Sequence, residues 1–461
     1  MTSIRFSYLK LLIFKFFKER KEIMKRRVLA ILLTAAMTMG MVAGCATSGA
    51  GSSDSGSDES SDGEVTLKFL NKYPEEPYAK YFEDAVAAFE EENPDINIEM
   101  ENVSDEAIKD KLSVIASGGD MPDIYMSWTG ERVKRFARGE KALDLTPYLD
   151  EDTEWRDSFL PAFLNNTTVD KKTYAIPYRS GIMYMMYNKE VFEKNNIEIP
   201  TTWDEFLAVC EKLKGTDVTP IAFGNSSPWY ASWWIGQLNA MMIPTDIMEK
   251  DYNPETGEFT DESYVTAVQT FLDLNDKGYF GDHVNSKDYY QVREEFCAGQ
   301  AAMMLDATPQ FTQYDDGMGA ENWGFFKIPS MEGAKGDAGT VGGGGEAWLV
   351  SSNCAHPEEA IKFLKFMTGK EQADKQTKEA GLPNALVGGI TEDNATEALA
   401  EAYKEAEVYT NIADWLDCAV EAKVADQYMT SLQEGLDGKS AEDVMKDVQK
   451  AAEEVKAEQG E

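Results

Sequence analysis

The chain has 461 residues, with 82 Asp and Glu against 44 Lys and Arg, and a formal net charge of −38 at pH 7. A surface this acidic excludes nucleic acid as a partner, because phosphate binding needs clustered cationic side chains; residues 1–45 hold nine Lys/Arg and only two Asp/Glu, so the remainder is more acidic still. The roughly 400 residues that follow are more than a single core usually serves, so two domains are expected.

Residues 1–23, "MTSIRFSYLKLLIFKFFKERKEI", are basic and aromatic; no role is assigned to them, and Met24 is an alternative start. Residues 24–44 read as a secretory signal: the basic "MKRR", an apolar run, then small residues up to Gly44. A membrane span competes with that reading, but Ala, Thr, Met and Gly make the run soft and no basic stop-transfer cluster follows. The last four residues of this segment and its join, "VAGC", resemble the lipobox of bacterial lipoproteins. The resemblance implies lipid on Cys45, and residues 45–64, rich in Ser, Gly and Asp, are expected to be a disordered tether. The other cysteines, Cys210, Cys297, Cys354 and Cys418, are far apart with no metal-type spacing, and are expected to be buried free thiols.

"EVTLKFLNKY" (64–73) alternates as a strand; "PYAKYFEDAVAAFEEENP" is an amphipathic helix stopped near Asn93; "INIEMENV" is a second strand. "AIKDKLSVIASGGDMPDIYMSW" gives a helix, a Gly-Gly break and a third strand ending at Trp128. This β-α-β-α-β order predicts an α/β fold with helices on the faces of a sheet, and ligands in such sheets bind beyond the carboxyl ends of strands, here Asn71–Tyr73 and Trp128–Gly130.

Further blocks appear in a telling order: "KTYAIPYRSGIMYMMYNKEVFEKNNIEIPTTWDEFLAVCEKLK", "TPIAFGNSSPWYASWW", "REEFCAGQAAMMLDATPQF", "WGFFKIPSMEG" and "GGGGEAWLVSSNCAHPEEAIKFLKFMTG". They resemble extracellular solute-binding proteins of ABC importers, and most of all the sugar-binding group that includes maltose-binding protein. The resemblance implies two α/β lobes, each a mixed sheet flanked by helices, joined by a hinge the chain crosses more than once: near Arg179–Met183, near 339–345 and near 400–405. The expected division is 65–180 and 341–402 for one lobe, 181–340 and 403–461 for the other. It also implies a carbohydrate ligand, ABC importer permease subunits as partners, a lipid anchor on the outer face of the bacterial cytoplasmic membrane, a monomer, and no cofactor or metal.

Sugars present flat C–H faces and rings of hydroxyls, so a site needs aromatic surfaces together with charged or amide groups. In "SSPWYASWWIGQLNAMMI", Ser227 and Pro228 read as N-cap and first helical residue, and Trp229 and Trp233 share a face at i,i+4 with Trp234 beside them. The family's aromatic platform matches at Trp229 and Trp233. Asn71, Trp128, Arg179, Asp306, Glu346 and Trp348 complete the candidate ligand contacts, while Trp155, Trp203, Trp323 and Trp415 are assigned to the core. "GTVGGGGEAWLV" places five glycines ahead of a strand, suiting a hinge or a cleft lining; a dinucleotide loop at Gly342-x-Gly344-x-x-Ala347 is disfavoured because no helix follows.

The competing class is a secreted glycosidase using paired carboxylates. With so many acids such pairs arise by chance, and neither histidine, His283 or His356, lies near a nucleophile motif. "DLNDKG" (273–278) lacks the later ligands of a calcium loop and reads as a helix end capped by Gly278.

Overall fold

The computed structural model describes residues 65–118, 120–337, 340–406 and 411–459. The signal, Cys45 and the tether lie outside the described residues. Eleven strands are named here in chain order: β1 Val65–Lys72, β2 Ile96–Val103, β3 Ile124–Trp128, β4 Thr168–Val169, β5 Lys172–Thr173, β6 Ile176–Asn188, β7 Thr219–Ala222, β8 Ala301–Ala307, β9 Trp323–Phe326, β10 Thr340–Val350 and β11 Asn411–Asp414. β4 and β5 form a small hairpin. The other nine make one mixed sheet in the order β2-β1-β3-β10-β6-β8-β7, with β11 beside β10 and β9 beside β6.

The predicted β-α-β-α-β start is present, with β1 pairing parallel to both β2 and β3. Between them the Tyr78–Glu92 helix buries Tyr81, Phe82, Ala85, Val86 and Phe89 on one face, each large side chain contributing about 1.5–3 kcal/mol of apolar burial. It stops at Asn93, whose amide donates back to the Phe89 carbonyl at 2.8 Å. The "TTWDEF" block starts a helix, Trp203–Lys214, through a capping box: the Glu205 N–H donates to Thr202 Oγ1 at 3.2 Å, and the Glu205 carboxylate accepts from the Thr202 N–H.

β6 is the organising strand. Its first half, Ile176–Ile182, pairs antiparallel with β10; its second half, Met183–Asn188, pairs with β8 and β9. One strand therefore belongs to two groups of partners, and β10 joins β6 to β3 and β11.

The glycine run differs from expectation. Gly342–Gly345 lie within β10, not ahead of it, and their φ angles are ordinary. They are needed for close approach instead: a Cβ on Gly343 would stand 2.3 Å from the Gly181 carbonyl oxygen, and one on Gly344 would stand 2.8 Å from the Trp415 ring.

The chain end of the Glu262–Asp276 helix is capped by Lys277 with Gly278 at φ +74°, and His356 occupies the N-cap position of the Pro357–Met367 helix. The four cysteines of the described residues are free; Cys210 and Cys418 are buried as expected, whereas Cys297 and Cys354 are only half-buried. No helix among the described residues is long and apolar enough to cross a membrane.

Candidate functional site

A cleft of about 450 Å³ opens where the carboxyl ends of β1 and β3, the middle of β6 and β10, and the start of the Trp229–Met242 helix converge. One wall is aromatic. Trp229 and Trp233 have ring centroids 5.4 Å apart, Tyr289 stands 4.9 Å from Trp229, and Trp415 stacks on Trp233 at 5.2 Å with planes 15° apart. Trp415 reaches that position because Gly344 leaves room for its ring. The helix is tied to β10 as well: the Gly342 N–H donates to Gln237 Oε1 at 2.8 Å. The indole N–H groups of Trp229 and Trp415 are buried without a partner among the described residues.

The opposite wall is ionic. Glu346, 1 % exposed, accepts from Lys72 Nζ, Tyr73 OH and Tyr178 OH at 2.6 Å each, and from Arg179. Burial pushes the Glu346 carboxyl up, but Arg179 and Lys72 outweigh it and hold the group below the usual range. Burial pulls Lys72 down, yet Asp105, 2.5 Å away, and Glu346 raise it overall. Both partners therefore stay charged. A buried cluster in which four donors converge on one carboxylate holds those donors at fixed positions, although the Arg179 Nε–H is left without a partner among the described residues.

Trp128, 6 % exposed, closes this wall, with Lys72 Nζ 5.1 Å and Lys109 Nζ 5.4 Å from its ring centre. Lys109 Nζ also lies 6.0 Å from the Trp229 ring, so one ammonium touches an indole of each wall.

Of the residues singled out from the sequence, Trp128, Arg179, Trp229, Trp233 and Glu346 line this cleft together. Four others do not. Trp348 is fully buried two residues deeper along β10, stacked on Tyr178 at 3.9 Å and against Phe69. Trp234 is turned about 100° around the helix from Trp233 and packs on Phe280 in the core. Asn71 shares the strand face of Leu67 and Phe69 and is wholly buried, leaving its neighbours Lys72 and Tyr73 to line the cleft. Asp306 is buried behind the aromatic wall, where it accepts from Tyr289 OH at 2.8 Å, from Tyr314 OH and from the Ala307 N–H; Ala307, not Asp306, faces the cleft. Burial pushes the Asp306 carboxyl up to about 6, against the lowering effect of those donors.

Two further corrections concern tryptophan and capping. Trp415, assigned to the core, is a wall of the cleft, whereas Trp155, Trp203 and Trp323 are buried as expected. Ser227 makes no side-chain cap; Pro228 stands at the N-cap position. Sequence reasoning also passed over Lys109, Tyr289, Tyr290 and Arg293. The last three carry a legible signal, "YYQVR", an aromatic pair followed three residues later by a cation on one helix, Tyr289–Cys297.

A larger cavity of about 1270 Å³, bordered by Leu160, Phe163, Ile182, Leu386, Ile390 and Tyr403, lacks stacked indoles and a buried ion cluster. Its size alone does not make it the better ligand site.

Residues 73–374 match the model of the bacterial extracellular solute-binding protein family. The chain is similar to the multiple sugar-binding protein of Streptococcus mutans, 24% identical over 341 residues that cover 72% of this chain and 77% of that one. It is similar also to the arabinooligosaccharide-binding protein of Bacillus subtilis, 24% identical over 371 residues covering 77% and 78%. Among solved structures, a chitin oligosaccharide binding protein superposes with a TM-score of 0.75 at 25% identity, covering 85% of this chain and 100% of the other.

Proposed function

Because the chain belongs to the bacterial extracellular solute-binding protein family, we propose that it captures an oligosaccharide in the cleft and delivers it to the permease of an ABC importer. The observation that carries the sugar reading is the pairing of a stacked indole wall, Trp229–Trp233–Trp415, with a buried ionic wall around Glu346. Aromatic faces suit the C–H surfaces of a pyranose, and fixed charged donors and acceptors suit its hydroxyls. The named relatives bind sugars, which supports the same reading.

The division into a lobe of residues 65–180 with 341–402 and a lobe of 181–340 with 403–461 is part of this proposal; the split pairing of β6 supports it. So is the anchor. Lipid on Cys45, with residues 46–64 as tether, would hold a monomer on the outer face of the cytoplasmic membrane; Cys45→Ser should leave the protein either released into the medium or retained with an uncleaved signal, and a variant still held in the membrane fraction by lipid would end that part of the proposal.

The receptor reading and the glycosidase reading part on one result. The saturated protein is incubated for hours with its best oligosaccharide, and the sugar is then weighed by mass spectrometry. Intact sugar is expected; accumulating shorter products would replace the receptor with an enzyme.

A further inference from the structure

Each carboxylate inside the cleft already has a cation. Asp105 holds Lys72, Glu346 holds Lys72 and Arg179, and Asp417 holds Arg132 at 3.1 Å. Glu75 and Glu76 also border the cleft but stand exposed at its rim, in water. Two lining cations are left over. Lys109 and Arg293 make no ion pair with any carboxylate among the described residues, in a chain where acids outnumber bases by nearly two to one.

Both are held by neutral partners. Lys109 Nζ rests between the rings of Trp128 and Trp229. The Arg293 guanidinium lies 5.4 Å from the Tyr289 ring centre and 5.6 Å from that of Tyr290, and donates to Gln310 Oε1 at 2.8 Å. Asp306, the carboxylate behind Tyr289, is occupied by Tyr289, Tyr314 and the Ala307 N–H. The guanidinium retains N–H groups beyond the one given to Gln310, in the planar fork that matches a carboxylate. Aromatic contact fixes the place of each cation without neutralising it.

From this arrangement, and resting on the carbohydrate reading above, we infer that the ligand is an acidic sugar: an oligosaccharide bearing a carboxylate, as a uronic acid residue does, with the carboxylate met by Lys109 or Arg293 while the pyranose faces stack on the indoles. Asp306 attracts Arg293, and Asp105 and Asp426 attract Lys109, only through space and without contact. A neutral sugar therefore leaves neither cation with a contacting counter-charge once the cleft is desolvated, which penalises it relative to its acidic counterpart. Specificity then comes as much from rejecting neutral sugars as from binding acidic ones.

The test is calorimetric titration of the full mature protein with matched pairs: digalacturonate against galactobiose, and glucuronosyl-xylotriose against xylotriose. A sulfated disaccharide is the third probe, separating carboxylate recognition from recognition of any anion. The expected result is that at least one uronate binds ten-fold or more tightly than its neutral partner in low salt, with the ratio shrinking in high salt and the sulfated sugar bound less well. In Lys109→Met or Arg293→Gln the acidic-to-neutral ratio should fall toward one. Equal binding within every pair overturns the inference, as does a preference that survives in both variants, or a preference for the sulfated sugar. If neutral sugars bind well and acidic ones do not, the inference falls while the carbohydrate reading stands; if no sugar binds, both fall.

Discussion

At the scale of single residues, the cleft depends on groups that never touch its contents. Asp306 was a candidate ligand contact because it ends a strand where the resemblance places one; in the fold it fixes Tyr289 from behind by accepting a hydrogen bond from its hydroxyl. Its folded-state pKa, raised to about 6, has a consequence for stability. The folded protein holds this proton more tightly than the unfolded chain does, so the contribution is fully present below the unfolded value near 4 and is lost as pH rises through about 6. Compared with Asp306→Asn, which carries no titrating group, the wild type should lose up to about 3 kcal/mol of relative stability between pH 4 and pH 7 and little more above it. Urea unfolding at a series of pH values checks this; a difference between the two proteins that stays flat across that range would mean the carboxyl is not perturbed.

At the scale of elements, much was legible. The apolar spacing in "PYAKYFEDAVAAFEEENP" and the Thr202-to-Glu205 capping pattern encode their helices locally, and both form where the sequence puts them. The Trp229 and Trp233 pair was readable for the same reason, since helical spacing alone brings the two rings together. Trp348 and Trp415 were not readable, because their surroundings come from distant segments. Trp348 follows Glu346 on the same strand face, and only the position of Tyr178 on β6 shows that it lies beneath the cleft floor. Trp415 precedes a helix of four residues, Leu416–Ala419, too short for any periodicity, and its place is set by Gly344, about 70 residues earlier. The glycine run was noticed for its freedom, whereas close approach is what it supplies. Gly344→Ala tests that difference. Its methyl group would collide with the Trp415 ring and push it off Trp233, so ligand affinity should fall about ten-fold, the scale of one weakened aromatic contact, with the protein still folded. Unchanged affinity in calorimetry would show that the glycine serves hinge motion and not the stacked wall.

At the scale of the whole molecule, the sheet is the device that makes a cleft. β6 runs through both groups of strands, β10 pairs with its first half, and the ionic wall is built on the two at Arg179 and Glu346. The aromatic wall rides on a helix tied to β10 through Gln237. A ligand gripped by both walls binds only the native arrangement, so it should stabilise the fold by about 2.7 kcal/mol at a hundredfold excess over Kd.

The central claim is that the ligand is held against the Trp229–Trp233–Trp415 wall, and titration of tryptophan fluorescence with the best-binding oligosaccharide tests it most directly. The wild type should give one saturable step with a shifted emission maximum, because four indoles, those of Trp128, Trp229, Trp233 and Trp415, line the cleft. Trp233→Ala should weaken binding by about 1–3 kcal/mol and leave most of the stability intact, whereas Trp348→Ala, emptying the stack beneath the floor, should cost about 3–5 kcal/mol of stability. Calorimetric binding with no fluorescence change, or a Trp233→Ala variant that binds as tightly as the wild type, would place the ligand elsewhere and contradict the account.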